Sequence, residues 1–144
     1  MFDALSIVGL LTMMAALAGL YALGDLFSPM PIVIGVQVAA VALMAWARLT
    51  FGIRSFHASA DPTAGGLVTT GPYRYIRHPI YAAGCLIGWA GVASHFSLGS
   101  LGLGALLFIG GLTRIICEER LIKEKYPQYA EYSKTTNRMI PYLF

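Results

Sequence analysis

Charged residues are scarce in this chain, and long stretches contain none. Only 12% of its 144 residues are charged, whereas 57% are hydrophobic, and the mean hydropathy is +0.67. Soluble domains carry about 25% charged residues, and a soluble fold of this size cannot bury so much apolar surface. The composition therefore excludes an ordinary soluble domain and predicts a membrane protein.

The uncharged stretches define the predicted helices. Lys, Arg, Asp and Glu are absent from residues 4–24, 26–47 and 79–113. A membrane span needs about 20 apolar residues, so the first two stretches each fit one helix, and the third predicts two helices turned around residues 95–99. We therefore predict an all-α integral membrane protein with about four transmembrane helices, the third of them short. The predicted helices span residues 4–23, 30–50, 79–94 and 98–117.

Basic residues are absent from the turns at residues 24–31 and 94–100. In the four-helix arrangement, all ten Lys and Arg residues fall on one side of the membrane. Lys and Arg are enriched in cytoplasmic loops. We therefore expect this face and both termini to be cytoplasmic, in an inner or plasma membrane. The net charge of +3 then requires no nucleic-acid partner.

Cysteine is scarce as well, and the start of the chain lacks the basic segment of a secretory signal. Cys85 and Cys117 lie in apolar stretches without metal-ligand spacing, so we expect buried side chains and no metal site. Gln37 is the one strongly polar residue in the middle of the second helix. Its position indicates either an interhelical hydrogen bond or a substrate contact.

We interpret residues 1–144 as one membrane domain. Its parts are two N-terminal helices (1–51), a cytoplasmic loop with a cofactor motif (52–78), a transmembrane hairpin (79–117) and a cytoplasmic C-terminal segment (118–144). The fourth helix should continue to about Tyr126, because Pro127 interrupts it. A second short helix should carry Tyr129 and Tyr132.

Two groups of polar side chains flank the predicted hairpin. They are Arg74, Arg77, His78 and Tyr81 at its start, and Glu118 and Glu119 at its end. Because a hairpin brings its ends together, we expect these groups to meet at the membrane edge, where a cytosolic cofactor can reach a lipid-like substrate. The same residues also fit membrane anchoring by arginine and tyrosine, or helix ion pairs between Arg114 and Glu118 and between Glu119 and Lys123.

The residues around this hairpin form an extended pattern. The pattern reads Gly66-Leu67-Val68-Thr69, Gly71-Pro72-Tyr73-Arg74-Tyr75-x-Arg77-His78-Pro79-x-Tyr81, Glu118-Glu119-Arg120-Leu121-Ile122, Tyr129-x-x-Tyr132 and Arg138-x-Ile140-Pro141. Over residues 65–141 it resembles the isoprenylcysteine carboxyl methyltransferase family and the related phospholipid methyltransferases, which are integral membrane enzymes. Two positions depart from that family: Ala83 replaces a frequent glycine, and Tyr126-Pro127 replaces a frequent Phe-Gly.

The resemblance implies S-adenosylmethionine as methyl donor, bound at the cytoplasmic membrane edge. The cofactor contacts that it implies are Leu67, Val68, Tyr73, Arg77, His78, Tyr81, Glu118 and Glu119, with Leu67 and Val68 beside the adenine. Arg138 matches the late arginine of the family, and we expect it to orient a carboxylate acceptor. Glu118 or Glu119 would act as base for an amine acceptor. The expected substrate is lipophilic, either an isoprenoid-linked carboxylate or a lipid head group.

Two other functions fit parts of the same sequence. Sterol reductases share a similar His-Pro-x-Tyr region and use a nicotinamide cofactor, so a membrane reductase using NAD(P)H is one alternative. A small non-catalytic membrane scaffold is the other. The short chain and the Glu118-Glu119 pair favour the methyl donor.

Overall fold

The computed structural model describes residues 2–52 and 66–144. Its helices are α1 (Phe2–Leu23), α2 (Pro31–Phe51), α3 (Pro79–Ser94), α4 (Leu98–Lys125) and α5 (Tyr129–Thr135), with a short 3-10 helix at Gly71–Arg74. The described residues form no strand beyond one isolated bridge. The predicted all-α class is confirmed. Residues 53–65, most of the first half of the predicted loop, lie outside the described residues.

Within the described ranges, three helices are long and apolar enough to cross a membrane. These are α1, α2 and α4, whereas α3 is apolar but has 16 residues. At about 1.5 Å per residue, α3 covers about 24 Å of a hydrocarbon core about 30 Å thick. The outer faces of α1 and α2 expose large apolar side chains such as Leu11 and Ile32, which suits contact with lipid.

Local sequence explains where the helices begin and end. Pro31 occupies the first turn of α2, where a backbone N–H would have no intrahelical acceptor. At the start of α4, the N–H of Ser100 donates to Ser97 Oγ at 3.0 Å, and the N–H of Ser97 donates to Ser100 Oγ at 2.9 Å. Helix α4 ends at Lys125, just before Pro127, and α5 follows as predicted.

Close glycine contacts hold α1 against α4. A Cβ atom added at Gly9 would lie 2.8 Å from the carbonyl oxygen of Gly110, and the reverse substitution gives the same distance. Small residues permit such an approach between membrane helices. Helix α2 packs along α3, and α3 also contacts α4. The helix pair α3–α4 therefore lies between α1 and α2.

The small residues of α1 predict only part of the face that packs against the neighbouring helices. Ala16 is buried, and Gly19 packs against Leu103 of α4, whereas Ala15 and Ala18 are exposed. All four residues are small and apolar, so composition does not separate the packed face from the lipid-exposed face.

Gln37 makes an interhelical hydrogen bond, one of the two roles that its position suggested. Its Nε2 donates to the carbonyl oxygen of Leu26 at 2.7 Å and to that of Ile87 in α3 at 3.1 Å. Cys85 and Cys117 are buried free thiols, as predicted.

The chain beyond α5 returns to the start of α3. A parallel bridge joins Ile76 and Asn137, the N–H of Arg77 donates to Asn137 O at 2.8 Å, and the N–H of His78 donates to Arg138 O at 2.9 Å. This backbone pairing places the Arg138 side chain beside the last turns of α4.

Candidate functional site

The start of α3 and the end of α4 bring polar side chains together. His78 directly precedes α3, and its Nδ1 lies 3.7 Å from Glu118 Oε2, while its Nε2 lies 3.4 Å from Glu119 Oε1. The His78 ring stacks on the Tyr81 ring with centroids 5.9 Å apart. In the described ranges, no group of three or more His, Cys, Asp or Glu side chains could hold a metal ion.

Glu119 is the centre of a first charged group. The residue is 4% exposed, and its carboxylate accepts from Arg77 Nε at 3.0 Å and from Arg138 Nη2 at 3.1 Å. Arg77 Nη1 also donates to the carbonyl oxygens of Ser133, at 3.0 Å, and Thr136. One buried carboxylate thus connects the start of α3, the end of α4 and the segment around α5.

Glu118 belongs to a second group that lies closer to α1. The Tyr81 hydroxyl donates to Glu118 Oε1, and Arg114 Nε donates to the Tyr81 oxygen at 2.6 Å. Arg114 Nε also lies 3.2 Å from Glu118 Oε1, and Nη1 donates to the carbonyl oxygen of Ser6 at 3.3 Å. The sequence predicted Tyr81 and Glu118 as cofactor contacts, but for Arg114 it predicted only a helix ion pair with Glu118. Arg114 is a charged residue on an apolar helix, four residues before Glu118. That position was the signal in the sequence for a role beyond the ion pair.

A cleft lies beside the first charged group. It encloses about 70 Å³ and opens outward, so that about 480 Å³ lies within it when the open space is included. Five residues with a predicted cofactor role line it, namely Leu67, Val68, Tyr73, Arg77 and His78, together with Phe51, Gly66, Ile122, Tyr126, Tyr129 and Tyr132. Tyr81, Glu118 and Glu119 are absent from this lining, so among the described residues they stand behind it rather than facing it.

Three tyrosines at the end of α4 and in α5 line this cleft without a predicted role: Tyr126, Tyr129 and Tyr132. The Tyr132 hydroxyl donates to the carbonyl oxygen of Tyr73 at 2.5 Å, and burial raises the pKa of Tyr132 to about 12. Burial, and then the nearby Glu119 charge, raise the pKa of Tyr129 as well. Both phenols therefore keep their protons at neutral pH. The repeat of tyrosine at positions three apart was visible, but it indicated no partner.

Arg138 lies in a separate, open groove that it shares with Arg77. This groove measures about 640 Å³ including solvent and is also lined by residues 133–137 and Phe144. The Arg138 side chain is 38% exposed, and its guanidinium lies 5.6 Å from the centre of the Phe144 ring. Arg138 therefore binds Glu119 on one side and remains accessible on the other. Arg74, by contrast, is exposed on the 3-10 helix, as the anchoring interpretation expects.

Comparison with known proteins gives one family and one curated relative. The model of the family described as phospholipid methyltransferase matches residues 29–129, which include α2, α3, α4 and both glutamates. The chain is also similar to the cobalt-zinc-cadmium resistance protein CzcN of Cupriavidus metallidurans, with 30% identity over 90 residues. That alignment covers 54% of this chain and 36% of CzcN, so the chain spans about a third of its relative's length. No solved structure matches the chain.

Proposed function

The chain belongs to the phospholipid methyltransferase family, and from this premise we propose that it transfers a methyl group from S-adenosylmethionine to a lipophilic acceptor at the cytoplasmic membrane face. Enzymes of the family generally use this donor. The observation that carries the proposal is the cleft beside His78, because it joins an apolar and aromatic wall to a charged group at the ends of α3 and α4.

The side chains of the cleft suit the chemistry of this cofactor. Leu67 and Val68 offer apolar surface to an adenine ring. The Arg77 guanidinium, held by Glu119 and the Ser133 carbonyl, offers its positive charge to the amino-acid carboxylate, and the ring of Tyr73 offers a π face to a sulfonium cation. We propose these residues and His78 as the cofactor-binding set.

Tyr81, Glu118 and Glu119 have a different proposed role, because they lie outside the lining of the cleft. The two glutamates face the two ring nitrogens of His78 at 3.7 and 3.4 Å, and Tyr81 stacks on the ring. We assign Glu118 and Tyr81 to orienting His78, and Glu119 to orienting Arg77, rather than to the direct cofactor contact that the family resemblance implies.

Methyl transfer requires alignment and exclusion of water more than covalent help from the protein. When bound, S-adenosylmethionine supplies an activated methyl group: the acceptor's lone pair bonds to the methyl carbon, the carbon–sulfur bond breaks, and its electron pair stays on sulfur. Arg138 is an accessible cation in the neighbouring groove, which shares Arg77 with the cleft, and we propose that it orients an anionic acceptor. A carboxylate acceptor releases no proton.

An amine acceptor would have to lose a proton, and Glu118 or Glu119 would take it. Each carboxylate is already engaged by arginine, with Glu119 bound to Arg77 and Arg138. Glu118 accepts from Tyr81 and lies 3.2 Å from Arg114 Nε. Such carboxylates are better arranged to orient their partners than to accept protons. This arrangement favours a carboxylate over an amine among the lipophilic acceptors.

The proposed membrane orientation depends on the distribution of charge. In the four-helix arrangement predicted from the sequence, all ten Lys and Arg residues fall on one side, which is the side of Arg77 and His78 in the cleft. The positive-inside tendency then makes this side cytoplasmic, together with both termini, in an inner or plasma membrane.

Binding of labelled S-adenosylmethionine to the detergent-purified protein tests the proposal. We expect saturable binding by the wild type, much weaker binding by Arg77→Gln, and unchanged binding by Arg74→Gln, whose exposed side chain is the matched control. The unfolding temperature of each variant shows whether it is folded. Binding of NADPH in place of the methyl donor would support the reductase alternative, and a wild type that binds neither compound would support the scaffold.

The acceptor is identified by mass spectrometry of lipids from cells that overproduce the protein. Species that gain the mass of one CH2 group with the wild type, but not with Arg77→Gln, are the expected products. Esters of lipophilic carboxylates among them would support the proposed role of Arg138, whereas methylated amines would contradict it.

A further inference from the structure

Two buried polar atoms in the wall of the cleft lack a hydrogen-bond partner among the described residues. They are Nε2 of His78 and the hydroxyl of Tyr129, whose residues are 6% and 2% exposed. Glu119 Oε1 is 3.4 Å from Nε2, but without hydrogen-bond geometry. Leaving a buried polar group unpaired costs about 1–3 kcal/mol, and folded proteins contain few of them. His78 and Tyr129 both line the cleft, so two such atoms indicate a ligand group that pairs with both.

Comparison with Tyr132 shows that the unpaired buried hydroxyl is specific to Tyr129. Both tyrosines belong to α5, line the same cleft and are largely buried. The Tyr132 hydroxyl donates within the fold, to the carbonyl oxygen of Tyr73 at 2.5 Å. The Glu119 carboxylate lies near the Tyr129 hydroxyl, but within the described part of the chain the two lack the geometry of a hydrogen bond. Tyr132 thus has a structural role that Tyr129 lacks.

We propose that Tyr129 is a further cofactor-binding residue, whose hydroxyl acts with His78 Nε2 to hydrogen-bond the ribose hydroxyls of the methyl donor. This assignment rests on the proposed function. It selects the ribose because a hydroxyl both donates and accepts, so it pairs with a phenol and with either tautomer of histidine. The carboxylate of Glu119, 3.4 Å from Nε2, disfavours an anionic ligand group at this point. Leu67 and Val68, in the same cleft, offer the adjoining apolar surface that a nucleoside base requires.

Loss of the hydroxyl should then affect the unfolding temperature differently at the two tyrosines. Tyr129→Phe removes an unpaired buried hydroxyl, so without ligand the unfolding temperature should stay the same or rise. Tyr132→Phe removes a hydrogen bond and deprives the Tyr73 carbonyl of this donor, so the unfolding temperature should fall. This measurement requires neither turnover nor an identified acceptor.

Ligand binding to the same three proteins completes the test. We expect Tyr129→Phe to weaken binding of S-adenosylmethionine and adenosine by about tenfold, which corresponds to one hydrogen bond. Binding of 2′,3′-dideoxyadenosine should be equally weak in the wild type and in Tyr129→Phe, because that analogue lacks the paired hydroxyls. Tyr132→Phe should keep the preference of the wild type for adenosine over the dideoxy analogue.

Three outcomes would overturn the inference. A lower unfolding temperature of ligand-free Tyr129→Phe would mean that the hydroxyl has an internal partner. Wild-type affinity of Tyr129→Phe for S-adenosylmethionine would leave the proposed function standing and reject the role of Tyr129. A wild type that is folded but binds no S-adenosylmethionine would reject the proposed function itself and the inference with it.

Discussion

Arginine and glutamate side chains are buried together where α3 begins and α4 ends. Glu119 pairs with Arg77 and Arg138, and Glu118 pairs with Arg114, so three cations share two carboxylates. The side chains of Arg77 and Arg114 are 9% and 4% exposed, and Arg138 is 38% exposed. A buried charge is tolerated only when it is paired. The surplus positive charge is therefore available at Arg138, the most accessible of the three.

Removing the negative charge of Glu119 should destabilise the protein. Glu119→Gln keeps the size of the side chain but leaves Arg77 buried without its counterion, which typically costs about 3 kcal/mol. We expect a clearly lower unfolding temperature in detergent. The control is Glu131→Gln, because the Glu131–Lys134 pair at 2.7 Å is exposed, and exposed pairs contribute little. Equal unfolding temperatures for the two variants would contradict the central role given to Glu119.

Among the helices, the contact of α1 with α4 depends on the absence of side chains. Gly9 and Gly110 face each other so closely that neither tolerates a Cβ atom without movement of the backbone. Gly102 lies on the same helix as Gly110, but a Cβ atom added there would meet nothing within 4 Å. Gly102 and Gly110, two of the glycines of α4, thus differ in packing.

Alanine substitutions at these two glycines should have opposite effects. In Gly110→Ala the new Cβ would lie 2.8 Å from the carbonyl oxygen of Gly9, and overpacking of this kind typically costs about 1–3 kcal/mol. In Gly102→Ala the change should be neutral or stabilising by up to about 1 kcal/mol, because alanine is the better helix former. Unfolding in detergent measures both. A Gly110→Ala variant as stable as Gly102→Ala would mean that α1 does not pack here.

The bounds of the helices could be predicted closely from the sequence, because prolines and charges mark their ends. Helix α3 runs from Pro79 to Ser94 as predicted, and α2 is displaced by one residue from the predicted 30–50. The faces of the helices could not be predicted. In a membrane the outer face is as apolar as the packed face, so Ala15 and Ala16 look alike although only Ala16 is buried.

Across the whole molecule, the two ends of the helix bundle differ in charge and in chemistry. One end holds the cleft and the charged groups. The other end has the turns after α1 and α3, at residues 24–31 and 94–100, which contain no Lys or Arg. The proposed orientation puts the first end in the cytoplasm.

Labelling of single introduced cysteines with a membrane-impermeant maleimide tests this orientation. We expect Phe96→Cys, in the exposed turn before α4, to react in intact cells, and Lys134→Cys, on the exposed side of α5, to react only after permeabilisation. Cys85 and Cys117 are buried and should contribute little background. Reaction of Lys134→Cys alone in intact cells would reverse the orientation.

The sequence by itself determined that this is a helical membrane protein, because a hydrocarbon core excludes charge and the uncharged stretches have the length of spans. It also carried the family pattern, and residues 71–81 and 118–119 pointed to one end of the bundle. The tertiary structure alone decided which side chains line the cleft and which stand behind it. The reason is that their partners are remote in sequence: Arg114 meets Ser6, and Arg77 meets Thr136. It likewise separated Tyr129 from Tyr132, since only the fold brings the Tyr73 carbonyl to one of two otherwise similar hydroxyls.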